Sequence, residues 1–259
     1  MQYKGLRVNI KEMESFRIFS AGSANDDRNT HLWLKGASLF IPQINKLLEH
    51  TDYTLHVIPI EEFKSNYDTL GYILSGNGSD KSNNHNYHIL YSYIFNKLGE
   101  QSKLQILEIG LGTNNPNLIS TMGMDGRPGA SLYAFRDYLP NANIYGCDID
   151  TDILFESERI KTYYVDQLEL KTFDELSTKL PNVMFDLIID DGLHSIAANF
   201  NTLLFALQNL NINGWFVVED IHIIENWKSI DFILRSNKQF KTYIIRAKVA
   251  HMYAVQKVA

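Results

Sequence analysis

The stretch LQILEIGLG, from Leu104 to Gly112, decides the fold: it is a short apolar run that carries an acidic residue and closes on two glycines. A run of this length, bounded by glycines, predicts a buried parallel strand that opens into a turn. Gly110 and Gly112 lack a Cβ, so the backbone can turn tightly there and approach a ligand, although such glycines often mark only a turn. Glu108 falls at the carboxyl end of the strand, where open α/β sheets bind their ligands.

Further along the chain, more apolar runs end in acidic residues. They are ANIYGCDID (142–150), KTYYVD (161–166), FDLIIDD (185–191) and GWFVVED (214–220). Segments of helical character separate them, which favours parallel strands joined by right-handed crossovers. The sequence therefore predicts an α/β fold with a Rossmann-like, doubly wound, mostly parallel sheet, whose carboxyl edge carries a site.

Two closing strands are predicted at the end of the chain, FKTYIIR (240–246) and MYAVQK (252–257), with a short turn between them. Because no helix separates them, they must pair in the antiparallel sense. One terminal strand therefore runs against the otherwise parallel sheet.

The N-terminal part is mainly helical in pattern. Val8–Phe19 and Trp33–Leu48 favour one or two helices with a turn near Ala21–Arg28, and these could pack on the core or form a homodimer contact. We expect an accessory or lid segment over residues 1–100 and the Rossmann-like domain over residues 101–259.

Composition excludes several classes of protein. The 259 residues are 45% hydrophobic and 21% charged, as in an ordinary globular chain. A balance of 24 basic against 30 acidic residues gives a net charge of −6, which argues against a nucleic-acid partner. No apolar run approaches the roughly 20 residues of a membrane span and no secretory signal is visible, so a cytoplasmic location is expected.

The chain has one cysteine, Cys147, inside a predicted strand. A single cysteine excludes an internal disulfide and a zinc site built from cysteines. We interpret Cys147 as a small core residue.

Polar residues at the first strand ends predict a nucleoside-binding site. Asp148, at the end of the second strand, can accept both hydroxyls of a ribose; alternatively Asp148, Asp150 or Asp152 could cap a helix. Asp166 and Gln167 follow the third strand, where a polar pair could hydrogen-bond an adenine edge.

The later strand ends predict a metal site. Neighbouring strand ends of a parallel sheet lie close together, and the carboxylates gathered there repel one another unless a cation neutralises them. Asp191, Glu219 and Asp220 would form an all-oxygen site suited to Mg²⁺ or Mn²⁺ rather than zinc. His194 could act as a ligand or as a base near neutral pH.

Two loops and one further histidine could reach this edge. The stretch from 75 to 86 is rich in Gly, Asn and Ser, which favours a solvated loop; the alternative is a loop over the site. In that alternative, the substrate-binding candidates are Asp80, Lys81, His85 and Tyr87, together with His222 after the last acidic strand end. The connection TNNPNLISTMGMDGRPG (113–129) is longer than ordinary strand-to-helix loops, which suggests an insertion or lid.

The order of these motifs resembles that of class I S-adenosylmethionine-dependent methyltransferases. DDGLHS followed by VVEDI is similar to the metal-dependent sugar O-methyltransferases of the macrocin and mycinamicin type, which resemble the cephalosporin hydroxylase group. SGNGSDKSNNHNYHILY is similar to the G-T-D-K and H-x-Y segment of many such proteins, with Ser79 in place of threonine. The resemblance spans about Gly76 to Ala259 and leaves the preceding residues outside it.

The resemblance implies particular roles for these residues. The S-adenosylmethionine site would comprise Glu108, Gly110, Asp148 and Asp166, to which we add Gln167 and Asp190. Asp191, Glu219 and Asp220 would hold Mg²⁺ or Mn²⁺, and His194, with Asp191 beside it, would deprotonate the acceptor hydroxyl.

The expected acceptor is a small-molecule sugar. It would be nucleotide-linked, such as a heptose, or a precursor of a bacterial capsule or surface polysaccharide. The 113–129 connection departs from the short glycine turn of the macrolide enzymes, and similar long versions occur in enzymes that decorate bacterial surface sugars.

Other functions remain open on the sequence. Within the same fold, the acceptor could be a phosphate, a phosphoramidate or a polyol. A nicotinamide-dependent oxidoreductase would use a similar turn and ribose-binding acid, but Gly110–Asn115 does not complete the G-x-G-x-x-G pattern. A metal-dependent hydrolase would leave Asp148 and Asp166 without a role, and a non-catalytic binding protein would fit an acidic cluster that does not converge.

Overall fold

A computed structural model describes residue 36, residues 40–49 and residues 51–259 of the chain. Nine strands form one sheet within this part. They are β1 (Val57–Pro59), β2 (Gln105–Ile109), β3 (Asn143–Asp148), β4 (Glu156–Ser157), β5 (Ile160–Tyr164), β6 (Phe185–Asp190), β7 (Leu210–Ile221), β8 (Phe240–Arg246) and β9 (His251–Lys257).

Six α-helices whose two ends both lie in the described part of the chain surround the sheet. They are α1 (Asp68–Asn77), α2 (His88–Leu98), α3 (Ala130–Tyr138), α4 (Leu170–Lys179), α5 (Ile196–Asn209) and α6 (Lys228–Ser236).

The sheet has the order β1-β8-β9-β7-β6-β2-β3-β5-β4. Strands β7, β6, β2, β3 and β5 pair in parallel, whereas β9 runs antiparallel to both β7 and β8. The predicted doubly wound, mostly parallel sheet with a reversed terminal strand is confirmed, and the two-residue strand β4 also runs antiparallel to its neighbour β5. The short edge strands β1 and β4 carry no periodic signal long enough to predict from sequence.

Apolar residues fill both faces of the sheet, because successive side chains of a strand point to opposite faces. Ile106 and Val217 pack with residues of α1, α2 and α3 on one face. Leu107 and Val218 pack with residues of α4, α5 and α6 on the other. Cys147 lies in the second core, as predicted.

The described residues before position 100 share a core with the sheet. Leu70 of α1 and Leu90 of α2 belong to the same buried cluster as Trp215. Residues 40–45 are helical, and Asn45 donates to the Glu225 carbonyl. The expected helix over Val8–Phe19 and the turn over Ala21–Arg28 lie outside the described residues, and the division at residue 100 stays a prediction.

None of the helices that the structure describes is long and apolar enough to cross a bilayer.

Candidate functional site

The carboxyl ends of β2, β3, β5, β6 and β7 open into a cavity of about 460 Å³. This volume suits a small ligand or cofactor. Loop residues 78–84 and the connection after β2 complete its walls. We call the strand ends of β2, β3 and β5 the β2–β5 half of the site, and those of β6 and β7 the β6–β7 half.

Gly110 sets the turn after β2. Its φ is +94°, a left-handed conformation that glycine adopts without steric cost. A Cβ built there would lie 2.1 Å from the carbonyl oxygen of Asp191. The missing side chain therefore lets the β2 turn pack against the loop after β6, and Gly110 joins the two halves of the site.

Glu108 lines the cavity but is almost fully buried. Its carboxylate accepts a hydrogen bond of 2.5 Å from Ser131 Oγ and lies 3.1 Å from the ammonium of Lys81. Burial raises the pKa of Glu108, and the Lys81 charge opposes that rise. Ser131 was not singled out from the sequence, because nothing local marks a helical serine as the partner of a strand end.

Asp148 is held by backbone groups at the cavity wall. Its two carboxylate oxygens accept from Leu111 N at 2.7 Å and from Asp150 N at 2.8 Å. Burial raises the pKa of Asp148, and these two donors oppose the rise. Each carboxylate oxygen has a further lone pair, so Asp148 can still accept from the hydroxyls of a ligand.

Asp166 and Gln167 follow β5 and both line the cavity. The Asp166 carboxylate accepts from Leu168 N at 2.9 Å. The Gln167 amide, however, donates 2.8 Å bonds to Asp190 and Thr202, and its oxygen accepts from Leu193 N. Gln167 therefore stabilises the loop after β6 through these hydrogen bonds.

Asp190 is fully buried and does not line the cavity. It shares a face of the sheet with Ile188, two residues earlier, in the core covered by α5. The sequence grouped Asp190 with the cofactor contacts. In the structure, Asp190 lies outside the cavity lining and accepts a hydrogen bond from Gln167 Nε2.

Asp191, His194 and Asp220 converge in the β6–β7 half. One donor atom from each lies within 4.8 Å of the others. His194 and Asp220 have positive φ values of 50° and 54°, which cost about 1–3 kcal/mol each for residues other than glycine. Two carboxylates and an imidazole are ligands that fit a hard or borderline divalent cation.

Glu219 was expected in the metal set, and in the structure its carboxylate meets that of Asp191 at Lys81, whose Nζ contacts both. Its side chain is 1% exposed and does not line the cavity. Lys81 Nζ donates to one carboxylate oxygen at 2.6 Å, and the Tyr91 hydroxyl donates to the other. Burial raises the pKa of Glu219, with partial compensation from the Lys81 charge.

Strand geometry separates Glu219 from Asp220. Consecutive residues of a strand point to opposite faces, so Glu219 follows Val217 toward α2. The register of β7 against β9 shifts between Val218 and Ile221, and this irregularity coincides with the left-handed Asp220. Asp220 consequently reaches the cavity while Glu219 does not.

The loop between α1 and α2 is not the solvated loop that its composition favours. Lys81 is 2% exposed and Tyr87 is fully buried. The Tyr87 hydroxyl donates to Asp220 Oδ1 at 2.7 Å, and His85 Nδ1 lies 3.4 Å from the same oxygen. A hydrogen bond with Asp80 is the main reason that the pKa of His85 is raised.

Of the expected substrate contacts, Asp80 and Lys81 line the cavity, whereas His85, Tyr87 and His222 do not. Tyr87 supports Asp220, and His222 is exposed away from the cavity. Sequence reasoning missed Tyr91, although its spacing of four residues from Tyr87 places both on one helical face.

The long connection from 113 to 129 forms a wall of the cavity. Asn114 Nδ2 donates to the carbonyls of Gly123 and Gly126, which closes the connection on itself. Met122 packs against Gly112 and Gly126, and exposed Arg127 extends over Gly78 at the rim. The expectation of an insertion that reaches the site agrees with this placement.

Comparisons with known proteins agree with the motifs. No protein-family model matches the chain. The chain is 28% identical over 146 residues to the 8-demethyl-8-alpha-L-rhamnosyl tetracenomycin-C 2'-O-methyltransferase of Streptomyces olivaceus, a match covering 56% of this chain and 35% of the relative. It is 31% identical over 121 residues to the mycinamicin VI 2''-O-methyltransferase of Micromonospora griseorubida, a match covering 46% and 27% respectively.

A solved structure shares the fold. MycE methyltransferase from the mycinamycin biosynthetic pathway, in complex with Mg, SAH and mycinamycin VI, superposes with a TM-score of 0.60 at 19% identity. The superposition covers 75% of this chain and 56% of that one. The matched region is about a third or less of the two curated relatives' length. The resemblance to class I methyltransferases of the macrocin and mycinamicin type is confirmed in sequence and fold.

Proposed function

We propose that this chain, a relative of the macrocin- and mycinamicin-type sugar O-methyltransferases, transfers a methyl group from S-adenosylmethionine to a sugar hydroxyl with the help of Mg²⁺ or Mn²⁺. The observation that carries the proposal is the division of one cavity into two chemically different halves. Acids suited to a nucleoside line the β2–β5 half, and Asp191, His194 and Asp220 converge in the β6–β7 half.

The β2–β5 half suits S-adenosylmethionine. Asp148 would accept the ribose hydroxyls, and Asp166 would bond the adenine edge, because Rossmann-like folds hold nucleosides at these strand ends. Glu108, which lines the same cavity, would contact the ammonium group at the amino-acid end of the cofactor. The bound cofactor supplies an electrophilic methyl carbon on a sulfonium sulfur.

The β6–β7 half suits the acceptor. Asp191 and Asp220 would hold the cation, and its positive charge would lower the pKa of the acceptor hydroxyl. His194 Nε2 lies 4.0 Å from Asp191 Oδ1 on the exposed side of the pair, where it can take the hydroxyl proton. The sugar oxygen then attacks the methyl carbon, the carbon–sulfur bond breaks, and S-adenosylhomocysteine leaves.

We further propose that the acceptor is a nucleotide-linked sugar or a precursor of a surface polysaccharide. Arg127 supports the nucleotide-linked form, because its guanidinium is exposed at the cavity rim and can pair with a phosphate. The length of the 113–129 connection supports an acceptor different from that of the macrolide enzymes.

Calorimetry tests the proposal. S-adenosylmethionine is titrated into chelator-treated protein, alone and with Mn²⁺, and then candidate sugars are added. Micromolar cofactor binding and sugar binding that requires the metal are expected. If S-adenosylmethionine does not bind in either condition, while NADH does, the oxidoreductase alternative replaces this proposal.

A histidine variant tests the base. His194→Gln is expected to retain cofactor affinity and Mn²⁺ affinity within about threefold, while turnover falls by about 10²–10⁴-fold. His56→Gln, an exposed histidine beside the edge strand β1, is the matched control and should keep full turnover. Loss of Mn²⁺ binding in His194→Gln would instead assign His194 as a ligand.

A further inference from the structure

Gln167 lies where three structural elements meet, and it is 7% exposed. Its Nε2 donates to Asp190 Oδ1 on β6 and to Thr202 Oγ1 on α5, each at 2.8 Å. Its Oε1 accepts from the backbone N–H of Leu193, in the loop between β6 and α5, at 2.7 Å. Both N–H donors of the side-chain amide are therefore used within the protein.

This bonding differs from the contact with an adenine edge that the sequence suggested. A contact with a ring nitrogen of adenine would need an N–H donor of the side chain, and both donors are directed at Asp190 and Thr202. The amide oxygen packs directly over Gly192, because a Cβ built on that glycine would lie 2.1 Å from it. The side chain of Gln167 is therefore directed into the loop after β6.

The loop between β6 and α5 is held at both ends and in the middle. At one end, the backbone N–H of Asp191 bonds a carbonyl of β2 at 2.8 Å. At the other end, Ser195 caps α5 with its side-chain oxygen. Between these ends, Leu193 N donates to Gln167, so Gln167 fixes the backbone one residue before His194.

His194 depends on this support. Its backbone is left-handed, with a φ of +50°, and residues other than glycine keep such a conformation only where their surroundings enforce it. The imidazole is exposed, and its Nε2 lies 4.0 Å from Asp191 Oδ1, which is too long for a hydrogen bond. The position of the imidazole therefore follows from the position of the backbone.

We propose that Gln167 is a positioning residue for the base: its side chain holds the loop so that the His194 imidazole stays within reach of the acceptor hydroxyl, and it does not bond the adenine of the cofactor. This inference rests on the proposed function, because it takes His194 as the base. Proton transfer requires the two heavy atoms to approach to about 3 Å, so a small displacement of the imidazole lowers the rate.

Gln167→Met tests the inference, because methionine has nearly the length of glutamine but carries no amide. The first measurement is the ¹H–¹³C spectrum of the imidazole groups at one fixed pH, with the His194 signals assigned by their loss in His194→Gln. In Gln167→Met these signals should shift by about 0.1 ppm or more, or broaden, while the signals of exposed His56 stay unchanged. Unchanged His194 signals would overturn the inference.

Cofactor affinity separates positioning from direct contact. Calorimetry on metal-free protein should give a dissociation constant for S-adenosylmethionine within about threefold of the native value in Gln167→Met, because no bond to the adenine is lost. A loss of tenfold or more in that affinity, with unmoved His194 signals, would make Gln167 an adenine contact and overturn the inference.

Kinetics tests whether Gln167 acts through His194. With a nucleotide-linked sugar that supports turnover of the native chain, Gln167→Met should lower kcat at least tenfold. In single-turnover measurements on the His194→Gln background, the same change should lower the rate less than twofold, since the group that it positions is already absent. Equal losses in both backgrounds would show a general structural effect and overturn the inference.

Two further variants complete the experiment. Gln105→Met makes the same substitution at the start of β2, where the amide oxygen accepts from Tyr145, and it should change neither the His194 signals nor cofactor affinity. Thr202→Val keeps the shape of threonine but removes one acceptor of the Gln167 amide. If Gln167→Met does not fold, broadened or shifted His194 signals in Thr202→Val support the inference, and unchanged signals overturn it.

The outcomes distinguish this inference from the proposed function. If the native chain binds no S-adenosylmethionine, the proposed function fails, and the role of His194 as a base fails with it. If the native chain binds the cofactor and the His194 signals do not move in Gln167→Met, only the role of Gln167 fails.

Discussion

The two halves of the cavity are built from the same kind of strand end but are held by different means. In the β2–β5 half, Asp148 and Asp166 accept hydrogen bonds from backbone N–H groups, some only two residues away. In the β6–β7 half, Asp191, Glu219 and Asp220 are contacted by the side chains of Lys81, Tyr91 and Tyr87, which lie 110 to 133 positions earlier. One half is organised locally, and the other depends on the docking of a distant loop and helix.

Because the two halves are held differently, we expect each kind of substitution to affect a particular half of the cavity. A change in a locally held acid should alter its own half and leave the other intact. A change at Tyr87 or Tyr91 should alter the β6–β7 half alone, whereas Lys81 also contacts Glu108 of the β2–β5 half. A change at Gly110, where the halves touch, should damage both.

Gly110→Ala is expected to have the largest effect. The new Cβ would meet the Asp191 carbonyl at 2.1 Å, and the φ of +94° is unfavourable for alanine, so we expect a loss of about 3 kcal/mol or more in unfolding free energy. Urea denaturation measures this change in unfolding free energy. Gly76→Ala, in α1 with nothing within 4 Å of the added Cβ, should be neutral or stabilising by up to about 1 kcal/mol. Similar stability of the two variants would mean that the halves do not touch at Gly110.

Asp148→Asn should weaken S-adenosylmethionine binding by about 2 kcal/mol, or roughly 30-fold, without changing Mn²⁺ affinity. The amide can no longer accept from both Leu111 N and Asp150 N, and the ribose loses a charged acceptor. Calorimetry with each ligand measures the two affinities. Asp152→Asn, an exposed site with the same change of charge, is the control. An equal loss of Mn²⁺ affinity in Asp148→Asn would contradict the separation of the halves.

Tyr87→Phe is expected to have the smallest effect. In contrast to Asp148→Asn, it should weaken Mn²⁺ binding and leave cofactor binding unchanged. Removing its hydroxyl frees the Asp220 carboxylate from a 2.7 Å bond, so Mn²⁺ affinity should fall by about tenfold while cofactor affinity is unchanged. Tyr138→Phe removes a comparable hydroxyl, bonded to Glu100 away from the cavity, and should change neither affinity. If Tyr87→Phe weakened cofactor binding instead, the local contacts of the β2–β5 half and the distant contacts of the β6–β7 half would not act independently.

Much of the fold could be predicted from local pattern. The runs that end at Ile109, Asp148, Asp190 and Ile221 are strands, and the closing pair is antiparallel, because apolar periodicity and connection length are read directly from neighbouring residues. Because the carboxyl ends of parallel strands lie at one edge of a sheet, the sequence also predicted that the acidic residues at these ends lie close together. Asp148, Asp166, Asp191 and Asp220 all line the cavity as that argument expects.

What the sequence could not provide was the direction of each side chain and its distant partner. Asp190 and Glu219 are strand-end acids like the others, yet one bonds Gln167 beneath the cavity and the other bonds Lys81 behind it. Their directions depend on strand parity and on the irregularity of β7, which are set by pairing with β6 and β9.

The sequence by itself determined the class of fold and the edge where the chemistry lies, because both follow from short-range periodicity and from the residue types at strand ends. Only the tertiary structure decided that Lys81 is buried among three carboxylates and that Tyr87 and Tyr91 hold two of the acids. Such contacts join residues more than one hundred positions apart, and their formation depends on the packing of α2 against the sheet, which no local pattern encodes.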